Sequence, residues 1–203
     1  MNPVKLLGLD PGFANLGVFG MTLGLGMKAE FARLILTEKN PKMPEGGEYI
    51  DEFKRLDEIE VAWEAVLDEF KPDVVAAERH ASLRNAKACR QLALAFGAMR
   101  ARALKRGIPF LWFHPEDIKE EVCGDRKADK AKMAKRLVGA FPSFNGWPEL
   151  GNRKKQTAKR KVVIKKDDSV AHVVDAAGAC MCARKHPVVE ALLRGAPSAP
   201  VGA

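Results

Sequence analysis

Four residues of this chain combine reactive side chains with settings that ordinary surface charges do not occupy. Asp10 closes the apolar run Val4-Lys5-Leu6-Leu7-Gly8-Leu9 and opens Asp10-Pro11-Gly12, where proline presets one turn residue and glycine accepts the next. Glu78 closes a second apolar run, Val74-Val75-Ala76-Ala77. Asp175 lies in a stretch of Val, Ala, Gly and Cys, three residues after His172, so both side chains share one helical face. Burying a carboxylate is unfavourable unless it is paired or metal-bound. Taken singly, Asp10 reads as a turn residue, Glu78 as a partner for Arg79 or Arg84, and His172 as a helix histidine. Together they fit ligation of a hard cation. Carboxylate oxygens suit Mg²⁺ or Mn²⁺, and an imidazole nitrogen adds tolerance for Mn²⁺.

The charge balance points to a polyanion. Lysine and arginine number 34 against 26 acids, giving +8 and a pI near 9.4 in 203 residues, and nucleic acid is the first such partner to expect. No run of eighteen apolar residues occurs, so no membrane partner is expected. The start, Met1-Asn2-Pro3-Val4-Lys5, lacks the basic end, apolar stretch and cleavage site of a signal peptide, which gives the expectation of a cytoplasmic protein. Cys89, Cys123, Cys180 and Cys182 form no Cys-x-x-Cys pair and read as free thiols.

The elements that must position these residues follow from periodicity. Val4 to Leu9, Leu16 to Leu23 and Ala29 to Thr37 read as three strands of an antiparallel meander. Asn40 to Gly47 is a loop. Glu48 to Lys71 has helical spacing and stops at Pro72. Val74 to Ala77 is a buried strand, Ser82 to Arg106 a long helix closed by Gly107, and Pro109 to Phe113 a strand. Glu116 to Val122 and Ala128 to Phe141 read as helices around Gly124. Pro142 to Asp168 reads as an exposed basic excursion, with Val162-Val163-Ile164 as its one ordered piece. Ser169 to Lys185 is a last helix of small residues, stopped by Pro187. The predicted class is α/β: one domain over 1–194 with a mixed sheet flanked by helices, and a flexible tail over 195–203.

Here the residues resemble a family. Leu7-Gly8-Leu9-Asp10-Pro11-Gly12, followed by Asn15 and Gly17, is similar to the first motif of RuvC-type Holliday junction resolvases. Val74-Val75-Ala76-Ala77-Glu78 resembles their second acidic motif, and His172-Val173-Val174-Asp175-Ala176-Ala177 their closing helix. Pro115-Glu116-Asp117-Ile118-Lys119, then Gly124 and Lys130, resembles the segment that supplies basic residues; Lys119 and Lys130 stand eleven apart, as that segment expects. The resemblance runs from residue 4 to about 183. It implies an RNase H-like five-stranded sheet, order 3-2-1-4-5, with the second strand antiparallel to the others. It implies that Asp10 and Glu78 meet on adjacent strands, that Asp175 arrives from the last helix, and that the protein is a homodimer joined through the Ser82–Arg106 helix. Two departures stand out. The family often places an aromatic residue after the second acid, where this chain has Glu78-Arg79-His80-Ala81. The basic excursion is also longer than in ordinary bacterial members, which fits a phage, organellar or otherwise divergent branch.

The resemblance implies a metal-dependent endonuclease that resolves four-way DNA junctions. Two divalent ions serve such an in-line hydrolysis. Asp10 would bridge them, Glu78 would complete one site, and His172 with Asp175 the other. Lys119 and Lys130 would stabilise phosphate charge or orient the water. DNA contacts are expected from Arg79, His80 and Arg84, and from Arg153, Lys154, Lys155, Lys159, Arg160 and Lys161 of the excursion. The same site could instead serve an RNase H-like nuclease acting on flaps, forks or RNA–DNA hybrids. An actin-like ATPase also opens with Asp-x-Gly after a strand, but it needs two such domains and a second phosphate motif.

Overall fold

A computed structural model describes residues 2–40, 47–79, 85–147, 152–156, 162–166 and 169–196. Strands β1 (Val4–Asp10), β2 (Asn15–Leu23) and β3 (Met27–Leu36) form the meander. Helix α1 (Glu48–Phe70) leads to β4 (Val74–Glu78), α2 (Ala86–Lys105) and β5 (Phe110–Phe113). The sheet has the order β3-β2-β1-β4-β5. β2 runs antiparallel to β1 and β3, whereas β4 is parallel to β1 and to β5. The expected sheet order and strand directions are therefore observed. Helices α3 (Pro115–Cys123), α4 (Lys130–Ala140), α5 (Ser169–Ala183) and α6 (Pro187–Leu193) complete the chain, with a hairpin of β6 (Asn152–Gln156) and β7 (Val162–Lys166) before α5.

Period-two alternation sorts each strand between two cores. Leu6, Phe19, Val74 and Ala76 pack with α3, α4 and α5, while Leu7, Leu9, Val18, Val75 and Ala77 pack under α1 and α2. The same parity sends Asp10 and Glu78 to the α5 face of the sheet.

Helix α5 lies almost on the backbone of that face. A Cβ on Gly8 would run into the Ala176 carbonyl, and one on Gly17 into the His172 carbonyl. Glycine at these two strand positions, with Ala176, Ala177 and Ala179 on the helix, permits the approach.

Several boundaries differ from the sequence expectation. Helix α2 begins at Ala86 rather than Ser82, because the Asn85 side chain accepts the backbone N–H groups of Lys87 and Ala88 as an N-cap. Pro187 starts a further helix instead of only ending one, since proline suits the first helical turn. Within 142–147, Phe144 and Trp147 are partly buried rather than exposed. Trp147 stacks on Phe19 at 5.4 Å and meets Phe144 edge-on at 5.5 Å, tying this stretch to the core. In the excursion the stretch Val162-Val163-Ile164 lies in β7, which pairs with β6, with Arg153 opposite Lys165 and Lys155 opposite Val163. The expected tail from 197 onward lies outside the described residues. Among the described residues no helix is long and apolar enough to cross a membrane.

Candidate active site

The site forms where β1 and β4 end side by side. Leu9 pairs with Ala77 in the parallel ladder, so Asp10 and Glu78 are the next residues on adjacent strands. Asp10 is 3% exposed. Two turns of α5 cross above and bring His172 and Asp175, while α4 brings Lys130. His172 Nδ1 donates to Asp10 Oδ2 at 2.6 Å, and Lys130 Nζ donates to Asp175 Oδ2 at 3.3 Å. Lys119, on α3, lies close enough for its charge to favour ionised Glu78. The six residues proposed from sequence thus converge on one end of the sheet, on one face.

Electrostatics set the character of the cluster. Burial pushes the Glu78 carboxyl up to about 8, and the neighbouring charges of Asp175 and Asp10 add to the effect. Asp175 is raised by burial and then by Asp10. Burial alone would lower the Lys130 ammonium, yet Asp175, with Asp10 and Glu78 behind it, holds it above its ordinary value. Ionising all three carboxylates of this partly dry pocket would set three negative charges against the two positive ones of Lys130 and Lys119. A divalent cation relieves that excess, and three carboxylates with one imidazole are the donor types for Mg²⁺ or Mn²⁺. The described residues contain no finished group of three or more His, Cys, Asp or Glu donors around one point. The donors therefore fit a cation by type and charge, while His172 and Lys130 presently hold two of the carboxylates.

A second set of residues positions the site, and the sequence carried no signal for them. Arg55 of α1, 7% exposed, donates from Nε to Thr37 Oγ1 at 3.0 Å and from Nη2 to the Phe13 carbonyl at 3.2 Å. Its guanidinium also lies 4.7 Å from the Phe13 ring centroid. Thr37 Oγ1 donates to the same Phe13 carbonyl at 2.6 Å. The turn that follows Asp10 is thus clamped from α1. One helical turn earlier, buried Glu52 accepts from Arg90 Nη2 at 2.8 Å and Gln91 Nε2 at 2.9 Å in the first turns of α2. The same end of α1 therefore holds both the turn that follows Asp10 and the start of α2.

The remaining sequence candidates are more peripheral. Arg79 is exposed, 5.7 Å from the Trp112 ring centroid, and its Nη1 donates to His114 Nε2 at 3.1 Å. Arg153, Lys154 and Lys155 lie on β6, which pairs with β7 in a two-stranded sheet of its own. His80, Arg84, Lys159, Arg160 and Lys161 lie outside the described residues. Cys180 and Cys182 play no part: they are free, and burial pushes the Cys182 thiol up to about 12.

Known proteins resemble this chain. The profile of the family described as crossover junction endodeoxyribonuclease RuvC matches residues 6–141. RuvC of Streptomyces avermitilis is 33% identical over 130 residues, covering 64% of this chain and 70% of its own length. RuvC of Frankia casuarinae is 30% identical over 139 residues, covering 67% and 77%. RuvC of Corynebacterium efficiens is 27% identical, and the match spans only 55% of its length. Among solved structures, T. thermophilus RuvC in complex with a Holliday junction substrate superposes with a TM-score of 0.64 at 20% identity, over 89% of this chain and 95% of that one. The yeast mitochondrial Holliday junction resolvase Ydc2 gives 0.55 at 18% identity, over 93% and 84%. At such identities the superpositions speak for the fold. The profile match stops at 141, so His172 and Asp175 join the site through the packing of α5.

Proposed function

We propose that this chain, which belongs to the crossover junction endodeoxyribonuclease RuvC family, is a metal-dependent hydrolase that cuts the phosphodiester backbone of four-way DNA junctions. The observation that carries the reading is the convergence of Asp10, Glu78, Asp175 and His172 at the carboxyl ends of β1 and β4, in a chain of net charge +8. The family supports the reaction class, and the convergence supports the choice of residues.

Asp10, Glu78, Asp175 and His172 would hold Mg²⁺, or Mn²⁺ in its place, as two ions per site. Bound divalent cations supply an activated water and stabilise the leaving oxygen. Asp10, with Glu78 on the neighbouring strand and His172 hydrogen-bonded to it, would take part in holding both ions. Lys130 and Lys119 border the carboxylates and present positive charge to a phosphate drawn into the site. Buried Asp10 and half-buried Glu78 keep bulk water away from one side of the reaction.

Binding rests on charge. The eight basic residues between Arg153 and Lys166 would form a phosphate clamp that carries affinity without sequence information. A homodimer would present one site to each of two strands. Helix α2 suits that role, because Ala93, Gly97 and Ala101 leave a smooth exposed stripe beside Leu94, and a Cβ on Gly97 would meet nothing. The location proposed is the cytoplasm, with the nucleoid or a host cell's DNA as the substrate.

Action on flaps, forks or RNA–DNA hybrids is the second reading, since the catalytic set is the same. Side-by-side cleavage of an immobile four-way junction, a flap, a fork and a hybrid in Mg²⁺ decides between them. Preference for the junction supports the first reading, and equal or better cutting of another substrate supports the second.

A further inference from the structure

Helices α3, α4 and α5 carry Lys119, Lys130, His172 and Asp175 to the carboxylate cluster. The same three helices also line a cavity of about 810 Å³. It is formed by the end of α3, the body of α4 and the residues that close α5, and none of its lining residues takes part in the active site. Along α4 it reaches as far as Gly139, roughly 13 Å of helix rise beyond Lys130.

The lining is strongly cationic. Lys132, Lys135, Arg136 and Arg184 stand against one carboxylate, Glu121. Glu121 is already neutralised, because it accepts from Arg184 Nη2 at 2.9 Å and from Lys185 Nζ at 2.7 Å. Lys132 Nζ donates to Asp125 Oδ2 at 2.8 Å. Counting Lys185 and Asp125 as well, five cations meet two carboxylates, a local excess of three positive charges. Lys135 and Arg136 have no ion pair among the described residues. Arg136 also works against the charge of Lys132. Arg184 Nε is buried with no acceptor among the described residues, and its Nη1 meets only the Met27 sulfur, at 3.6 Å. A buried donor without an acceptor is unfavourable. An acceptor reaching Arg184 from the cavity would relieve it.

The cavity also has an apolar side. Val122 is half-buried, Leu137 and Met181 are buried, and a Cβ on Gly139 would meet nothing. A DNA backbone would use the cations and leave that apolar side uncovered. A fatty acid would cover it but bring a single negative charge against three. A nucleoside diphosphate matches both sides: its phosphates carry several charges and accept forked hydrogen bonds from arginine, and its base and sugar bury apolar surface. The volume falls within the roughly 300–1,000 Å³ of small-molecule sites. We infer that this cavity binds a nucleoside polyphosphate, with its phosphates at Lys135, Arg136 and Arg184 and its base against Leu137 and Met181. Such a site stands apart from the nuclease reading and holds whether or not junctions are cut.

The test titrates the full chain with ADP by calorimetry in EDTA, so that no metal bridges the nucleotide to the carboxylate cluster. ADP should bind, and inorganic phosphate and adenosine should each bind at least about tenfold more weakly. The double variant Lys135→Ala/Arg136→Ala should weaken ADP binding by about tenfold or more. Both side chains are exposed, so the unfolding midpoint should hold. Gly139→Leu, which adds bulk to the lining where a Cβ meets nothing, should weaken ADP binding by a similar factor. Binding of a four-way junction should stay within about twofold of wild type in both variants. Absence of ADP binding to wild type overturns the site, as does ADP binding that both variants leave unchanged. Equal binding of ADP and inorganic phosphate reduces it to an unselective basic patch and overturns the nucleotide assignment. A parallel loss of junction affinity in the double variant, with ADP displaced by junction DNA, makes it a DNA contact instead. Wild type that binds ADP as expected but leaves junctions uncut in Mg²⁺ sinks the nuclease reading and leaves this site standing.

Discussion

His172 of α5 donates its Nδ1 hydrogen to Asp10 Oδ2 of β1 at 2.6 Å, across 162 positions of sequence. A buried carboxylate with this partner is stabilised by about 1.5–3 kcal/mol through one charge-assisted hydrogen bond. Removing the imidazole should therefore lower the stability of the metal-free protein, His172→Ala by about 2 kcal/mol in urea unfolding. The same variant should bind Mn²⁺ more weakly, and His172→Asp should recover much of the binding, because a carboxylate is a hard oxygen donor. Unchanged unfolding and unchanged Mn²⁺ affinity in His172→Ala would make this histidine a bystander.

Glu78 gives a pH dependence with a definite sign. Its carboxyl sits at about 8 in the fold against an ordinary value of 4.5, through burial first and then Asp175 and Asp10. The folded state holds this proton more tightly than the unfolded chain does. Its contribution therefore favours folding below about pH 4.5 and is lost as pH rises through about 8. Metal-free wild type should lose stability relative to Glu78→Gln across that window, by an amount on the order of a few kcal/mol. Mg²⁺ should restore wild type and stabilise Glu78→Gln less. Parallel pH–stability curves for the two proteins would contradict the crowded-carboxylate account.

Close packing of α5 makes Gly17 a sensitive position. An added methyl there meets the His172 carbonyl, which belongs to backbone and cannot swing aside. Gly17→Ala should cost about 3 kcal/mol or more and reduce cleavage beyond what the stability loss explains. Gly97→Ala, where a Cβ meets nothing, is the matched control for folding and should be stable. Equal stability of the two variants would mean that α5 does not press on β2 here.

The clustered strand-end acids were legible because they break apolar strands at their ends, and a charge in that setting asks for a reason. Lys130 and Lys119 were legible only through the resemblance of their segment to the family's basic one. Arg55 was not, because an arginine among the many charges of α1 looks solvated until the chain closes around it. Gly8 and Gly17 likewise read as ordinary strand glycines, since their purpose depends on a helix more than 150 residues away. The aromatic pair Phe144 and Trp147 was hidden by the neighbouring Pro142 and Gly146, whose turn chemistry resembles an exposed loop. The β6–β7 hairpin was hidden because lysine-rich strands lack the alternation that marks a half-buried one.

Arg55 should act through the turn it clamps. Arg55→Ala removes two hydrogen bonds and a cation–π contact from the Asp10 turn, an expected loss of about 3 kcal/mol. Its Mn²⁺ affinity should fall as well, while binding of the metal-free protein to junction DNA should hold. Arg55→Lys keeps the charge without the fork and should recover part of the stability and less of the metal affinity. A loss of stability with Mn²⁺ affinity intact would confine Arg55 to the core.

The most direct measurement compares strand cutting of an immobile four-way junction in Mg²⁺ by wild type, Asp10→Asn and Asp175→Asn, with junction binding followed in parallel. Wild type should cut the junction in preference to linear duplex of the same sequence. Each variant should lose cleavage by at least about a hundredfold. Each should bind the junction as well as wild type or better, because a negative charge has been removed near a polyanion. Cleavage by either variant at near the wild-type rate would contradict the assignment of these carboxylates as the centre of the reaction.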